Sequence, residues 1–159
     1  HALRRDELCR LTLMDIQERR GVKHFRVHGK GSRIRYIPIH TATIEAILDY
    51  LNSVTHSNDP EGALFRPFKN NRTGTLEKAL SADAIWRIVR KYALAAQIPL
   101  SARVAPHALR ATAATNALEH QVDIAKVQQF LGHANISTTR IYDRREMRPA
   151  DSPVWSIKY

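Results

Sequence analysis

Residues 131–142 run LGHANISTTRIY. Just before it, Ile124, Val127 and Leu131 recur at helical spacing behind Asp123, whose carboxylate suits the first free N–H groups of a helix. Gly132 suits the left-handed residue that closes such a helix, and Ser137, Thr138 and Thr139 can open another. The stretch predicts helix, turn, helix, with His133 at the turn and Tyr142 nine residues later.

Moving upstream, Pro106 suits a first helical turn, where its missing N–H is not needed, and 107–118 continues in Ala and Leu, good helix formers. Thr41–Leu51 carries Ile44, Ile47, Leu48 and Leu51, and Ser81–Leu94 carries Ile85, Ile88, Val89 and Tyr92; each is the stripe of a helix with one buried face. Leu3, Leu8 and Leu11 fit a short helix over 3–13. A hairpin follows: His24–His28 puts Phe25 and Val27 on one face, Gly29 to Ser32 form the turn, and Arg33–Ile37 puts Ile34 and Tyr36 together before Pro38 ends the strand. Residues 57–80, rich in Asn, Gly, Pro and Lys, read as an exposed loop. Beyond the polar stretch 144–153, Val154–Tyr159 is rich in strand formers and predicts a terminal strand seeking a sheet edge. The fold class is α+β, mainly α-helical, with a small antiparallel hairpin near the N-terminus. One domain is expected over 1–159, with 144–159 as its tail. The abrupt start at His1-Ala2-Leu3-Arg4 suggests a fragment whose N-terminal partner domain lies outside it.

Composition narrows the partner. The 159 residues hold 25 Lys+Arg against 15 Asp+Glu, a formal charge of +10, on a chain that is 43% hydrophobic and 25% charged. That balance is a folded body decorated with positive charge, and a pI near 10.3 favours phosphate polymers, from which bound cations release counterions. No stretch approaches the roughly 20 apolar residues of a spanning helix, so a membrane is not expected as partner. The single Cys9 forms no internal disulfide, and no Cys/His spacing suggests zinc; an intracellular setting fits best.

Taken singly, Arg4 and Lys30 read as solvated surface charge, His107 and Arg110 as a common i, i+3 pair, His133 as a turn residue and Tyr142 as a half-buried aromatic. Together, two arginines, a glycine-flanked lysine, two histidines and a tyrosine are the parts of a metal-free attack on a phosphodiester. The transition state gathers negative charge on its non-bridging oxygens, which guanidinium forks and histidine donors can neutralise. The nucleophile is then a side chain, and the leaving sugar oxygen needs an acid, for which a lysine in a turn is suited.

The order and spacing of these residues resemble the tyrosine recombinases of the phage-integrase type over nearly the whole chain. His107-Ala108-Leu109-Arg110 matches the family's His-x-x-Arg motif, and 131–142 matches its Leu-Gly-His to Tyr string. Leu3, Arg4, Glu7 and Leu8 match its first motif, with Ala2 in place of the usual Gly and with Arg5 and Asp6 in place of an aliphatic and a small residue. Gly29-Lys30-Gly31 matches its hairpin, and Ala111 stands where a His is common.

The resemblance implies a site-specific DNA recombinase or integrase working through a 3′-phosphotyrosine, with no cofactor, metal or ATP. It implies Tyr142 as nucleophile, Arg4 and Arg110 as the clamp on the phosphate, and His133 as a further donor to it. It implies His107 acting on the tyrosine proton and Lys30 protonating the leaving 5′ oxygen. It further implies double-stranded DNA as partner and an N-terminal DNA-binding domain completing a clamp. The protein would be monomeric when free, tetrameric on two synapsed sites, and would work in the bacterial cytoplasm at the nucleoid. The tail would dock in cis or on a neighbouring protomer.

Arg26, Arg33 and Arg35 on the hairpin and Lys69, Arg72 and Lys78 in the loop are further candidate DNA contacts. Two other readings compete: a DNA-binding regulator using 123–142 as a helix-turn-helix, and an RNA-binding domain. The first leaves the ordered catalytic set as coincidence, and the second lacks an aromatic RNP-type strand.

Overall fold

The computed structural model describes residues 1–29, 31, 33–69, 74–99, 101, 104–145 and 152–157. They fall into two compact units, residues 1–110 and 111–159.

In the first unit, β1 (Ile16–Arg19), β2 (Val22–His28) and β3 (Ile34–Pro38) form an antiparallel sheet in that order. Phe25 pairs with both Ile16 and Ile37, and Val27 pairs with Arg35. Phe25, Val27 and Ile37 are at most 3% exposed, so this face belongs to the core. Ile34 and Tyr36 share a face as expected, but it is the solvent face, where the Arg19 guanidinium lies 3.7 Å from the Tyr36 ring centroid. The sequence predicts only the β2–β3 hairpin. The third strand, β1, has four residues, IQER, and becomes a strand by pairing with β2 through Arg20 and Gly21, both at positive φ.

The first helix, α1 (Arg5–Arg10), is shorter than the expected 3–13. Leu11 turns extended and its carbonyl accepts from the Leu64 N–H at 2.7 Å, while Thr12 bridges to Ala63. The chain thus leaves the helix to anchor the 57–80 segment. That segment is only partly the exposed loop expected: Leu64 is fully buried, and the Tyr50 ring packs against Phe65 and Phe68 while its hydroxyl accepts from the Arg66 N–H.

Helices α2 (Thr41–Asn52) and α3 (Ala82–Ala95) fall where their stripes predict, burying Ile47 and Ile85. Ser81 Oγ caps α3 by accepting from Ala84 N–H, and α3 packs on α1. Cys9, on α1, is half-buried, and burial, assisted by Asp6, pushes its thiol above its usual range.

α4 (Pro106–Glu119) starts in the first unit; Ala114 and Leu118, in the second, are fully buried. In α5 (Ile124–Leu131), Asp123 Oδ1 accepts from Ala125 and Lys126 N–H at 2.9 and 3.1 Å. Gly132 closes the helix at φ 65°, where a Cβ is disfavoured. Val127 and Leu131 are at most 1% exposed. Then α6 (Ser137–Arg140) makes a single turn, too short to serve as the recognition helix of a helix-turn-helix.

Where the sequence predicts a strand over 154–159, the described part folds as a 3-10 turn at Pro153–Ser156. Proline presets the backbone of the first residue, and Ser152 Oγ accepts from the Val154 N–H. Lys158 and Tyr159 lie outside the described residues. No helix among the described residues is long and apolar enough to cross a membrane.

Candidate active site

In the first unit a cleft of about 370 Å³ is lined by Arg4, Arg5, Trp86, His107 and Arg110, among others. Arg4 is the N-cap of α1. Its N–H donates to Glu7 Oε2 at 2.7 Å and its Nη1 to Glu7 Oε1 at 2.8 Å. The same carboxylate receives the Arg35 fork from β3, Nη1 to Oε1 at 2.9 Å and Nη2 to Oε2 at 2.8 Å. Burial alone would raise the Glu7 carboxyl. The hydrogen bond from Arg35 and those from the Arg4 backbone and side chain outweigh it and hold Glu7 at about 2. Glu7 is therefore a fixed anion, and Arg4 keeps two-fifths of its side chain exposed.

His107 and Arg110 stand one turn apart at the start of α4, both at the cleft. Arg110 is 3% exposed and its guanidinium donates to the Ala2 carbonyl. Ala2 sits at φ 52°, the left-handed region that favours glycine. The departure from the family's Gly thus falls where glycine would fit most easily.

In the second unit, the Gly132 turn brings His133 back beside α6. The rings of His133 and Tyr142 stack with centroids 6.2 Å apart, and both residues are half-buried. His133 Nδ1 lies 2.9 Å from the hydroxyl of the fully buried Thr139. When that hydroxyl donates to Nδ1, the imidazole carries its proton on Nε2, which makes that nitrogen a donor. Tyr142 follows the α6 turn, its N–H donating to Thr139 O at 3.0 Å, and it lines a groove with Thr112, Asn116 and Arg144.

Arg4, His107 and Arg110, far apart in sequence, thus share one cleft, and His133 and Tyr142 stack on each other. Lys30 and Arg72 lie outside the described residues. Of the other candidate DNA contacts, Arg33, Lys69 and Lys78 are exposed. Arg26 donates to the buried Asp15 at 2.9 Å, and Arg35 to Glu7. Sequence reasoning missed Trp86 in the cleft, the Thr139 partner of His133 and the Glu7 hub. Thr139 and Glu7 stand inside the quoted motifs, but Trp86 reads only as a helix residue.

Residues 1–148 match the model of the Phage integrase family. The tyrosine recombinase XerA of Pyrococcus furiosus is 40% identical over 142 residues, 89% of this chain and 46% of that protein. The tyrosine recombinase XerD of Staphylococcus epidermidis is 34% identical over 140 residues, 88% of this chain and 45% of its own length. The chain therefore spans about half the length of these relatives. Among solved structures, a XerA recombinase superposes with a TM-score of 0.67 at 30% identity, over 94% of this chain and 50% of that one. A XerH site-specific recombinase bound to difH substrate shares the fold, with a TM-score of 0.72 at 24% identity over 91% of this chain and 39% of that one. With a match over nearly its whole length, the chain belongs to the phage integrase family of tyrosine recombinases.

Proposed function

We propose that this chain is the catalytic part of a site-specific DNA recombinase that cuts and rejoins strands through a 3′-phosphotyrosine, needing neither metal nor ATP. The observation that carries the reading is the sharing of one cleft by Arg4, His107 and Arg110. Two guanidiniums and an imidazole at a cleft are donors suited to a phosphate, and the +10 charge draws DNA.

Tyr142 Oη attacks the scissile phosphorus; the new O–P bond forms as the P–O5′ bond breaks. The phenolic proton passes to His107, and Lys30 protonates the departing O5′. Arg4 and Arg110 neutralise the non-bridging oxygens, and His133 donates a further hydrogen bond. The phosphotyrosine keeps the energy of the broken bond, so a 5′-hydroxyl from a second duplex reseals the strand with no nucleotide. Double-stranded DNA is the partner, four protomers synapse two sites, and the protein works at the bacterial nucleoid.

The test uses the whole protein and a nicked suicide duplex, its sequence chosen by binding selection from a randomised pool, on a denaturing gel with chelator present. A covalent protein–DNA band that Tyr142→Phe abolishes is the expected result. Specific binding with no band on any selected duplex would overturn the reading in favour of a regulator.

A further inference from the structure

Arg35 occupies a position that the sheet reserves for the core. It pairs with Val27, and its inward neighbours Phe25, Val27 and Ile37 are at most 3% exposed. An apolar side chain is the ordinary occupant of such a place. Its side chain is 14% exposed, and its buried Nε finds no hydrogen-bond partner among the described residues. Desolvating a guanidinium this far stabilises a fold poorly, since well-packed apolar side chains commonly replace buried ion pairs at no loss. A bidentate fork supplies something else, a fixed direction and distance between two elements.

Of the two elements it joins, α1 is capped by Arg4 and β3 follows the connection whose sequence contains Lys30. Glu7, which takes the fork, also holds the backbone and guanidinium of Arg4. Arg35 itself follows the β2–β3 connection, in which Lys30 stands between Gly29 and Gly31. Gly29 N–H closes that connection onto Arg33 O at 2.8 Å. Arg35 Nη1 passes 3.7 Å from where a Cβ on Gly29 would stand, and the Arg33 carbonyl lies 3.3 Å from the same point. The guanidinium therefore lies against the start of the connection while it grips α1.

We infer that Arg35 is a positioning residue: through Glu7 it registers the strand leaving the Lys30 connection against α1, so that one carboxylate sets both the Arg4 clamp and the frame of the general acid. The inference rests on the proposed assignment of Lys30 as the acid. It differs from the sequence expectation that Arg35 contacts DNA phosphate.

Replacement of the bridging 5′ oxygen by sulfur separates these roles, because a thiolate leaves without a proton. The whole protein, Lys30→Ala, Arg35→Lys and Arg35→Gln are compared on matched suicide duplexes carrying either an ordinary phosphodiester or a 5′-bridging phosphorothiolate at the scissile position. Lys30→Ala is expected to slow cleavage of the oxygen substrate by about 100-fold or more and to cleave the sulfur substrate near the parent rate. Both Arg35 variants are expected to lose about 10-fold on oxygen and to recover on sulfur. The sulfur-to-oxygen rate ratio is taken on one preparation, so it does not depend on the folded fraction.

Failure of Lys30→Ala to recover would overturn the acid assignment and the inference with it. Recovery of Lys30→Ala beside equal losses on both substrates in the Arg35 variants, or no loss in them, would overturn the Arg35 role alone. Unfolding of both Arg35 variants would also overturn it, since Arg35 would then hold the fold and not the acid. Arg35→Gln is also expected to keep the parent decline of affinity with salt; a slope lowered by about 0.9 would make Arg35 a phosphate contact and overturn the positioning role.

Discussion

At Glu7 and Asp15 the same device appears twice. Each carboxylate is nearly buried, caps the start of a helical turn three residues earlier, and receives an arginine from the sheet. For Glu7 the pKa falls from 4.5 to about 2, so its ionised form favours the folded state. The contribution is present above the unfolded value near 4.5 and is lost as pH falls toward 2. Urea unfolding between pH 2 and 6 should show stability falling through this window. Glu7→Gln should flatten that part of the profile and lower stability at pH 7; an unchanged profile would count against the hub. The motif in the sequence points to Arg4 and Glu7, yet not to Arg35 as their partner. A basic residue two places from Arg33 in a basic hairpin reads as one more cation, because pairing across 28 residues leaves no local periodicity. Ala2 was legible as a departure from a pattern, while its cost, a Cβ on a left-handed backbone beside the Arg110 donor, needed the chain's path.

Among the elements, α2, α3 and α5 were legible because an apolar stripe marks each, and for α5 Asp123 adds a capping residue. Strand β1 was not, since IQER is short and half polar and becomes a strand only on meeting β2. The tail misled for the opposite reason: Val, Trp and Ile favour strands, but Pro153 and Ser152 impose a turn locally. The α5 end offers a direct test. Gly132→Ala puts a Cβ at φ 65° and should destabilise the chain by about 1 kcal/mol. Because His133 and its stacked Tyr142 follow that turn, strand cleavage should fall further than the lost stability accounts for. Thermal melts and covalent-complex yields on the same preparation give the two numbers, and a variant that melts lower but cleaves normally would separate the turn from the proposed roles of His133 and Tyr142.

For the molecule as a whole, charge is the property that sequence reads most directly, and its distribution is what only the fold reveals. Arg26 and Arg35 serve internal carboxylates, while Arg33 stays on the surface. Arg33→Ala should therefore weaken DNA binding alike on unrelated sequences and lower the slope of log affinity against log salt by about 0.9. A titration series over several salt concentrations measures it, and an unchanged slope removes Arg33 from the phosphate contacts.

The solitary sulfhydryl on α1 gives the experimenter a clock. Cys9 is held in its unreactive protonated form by partial burial and by Asp6, so a soluble alkylating reagent should modify the native chain slowly and the denatured chain at once. Between those limits the labelling rate counts openings of the helix that Glu7 anchors. A mass spectrometer can then time the loosening of that anchor in the absence of any DNA.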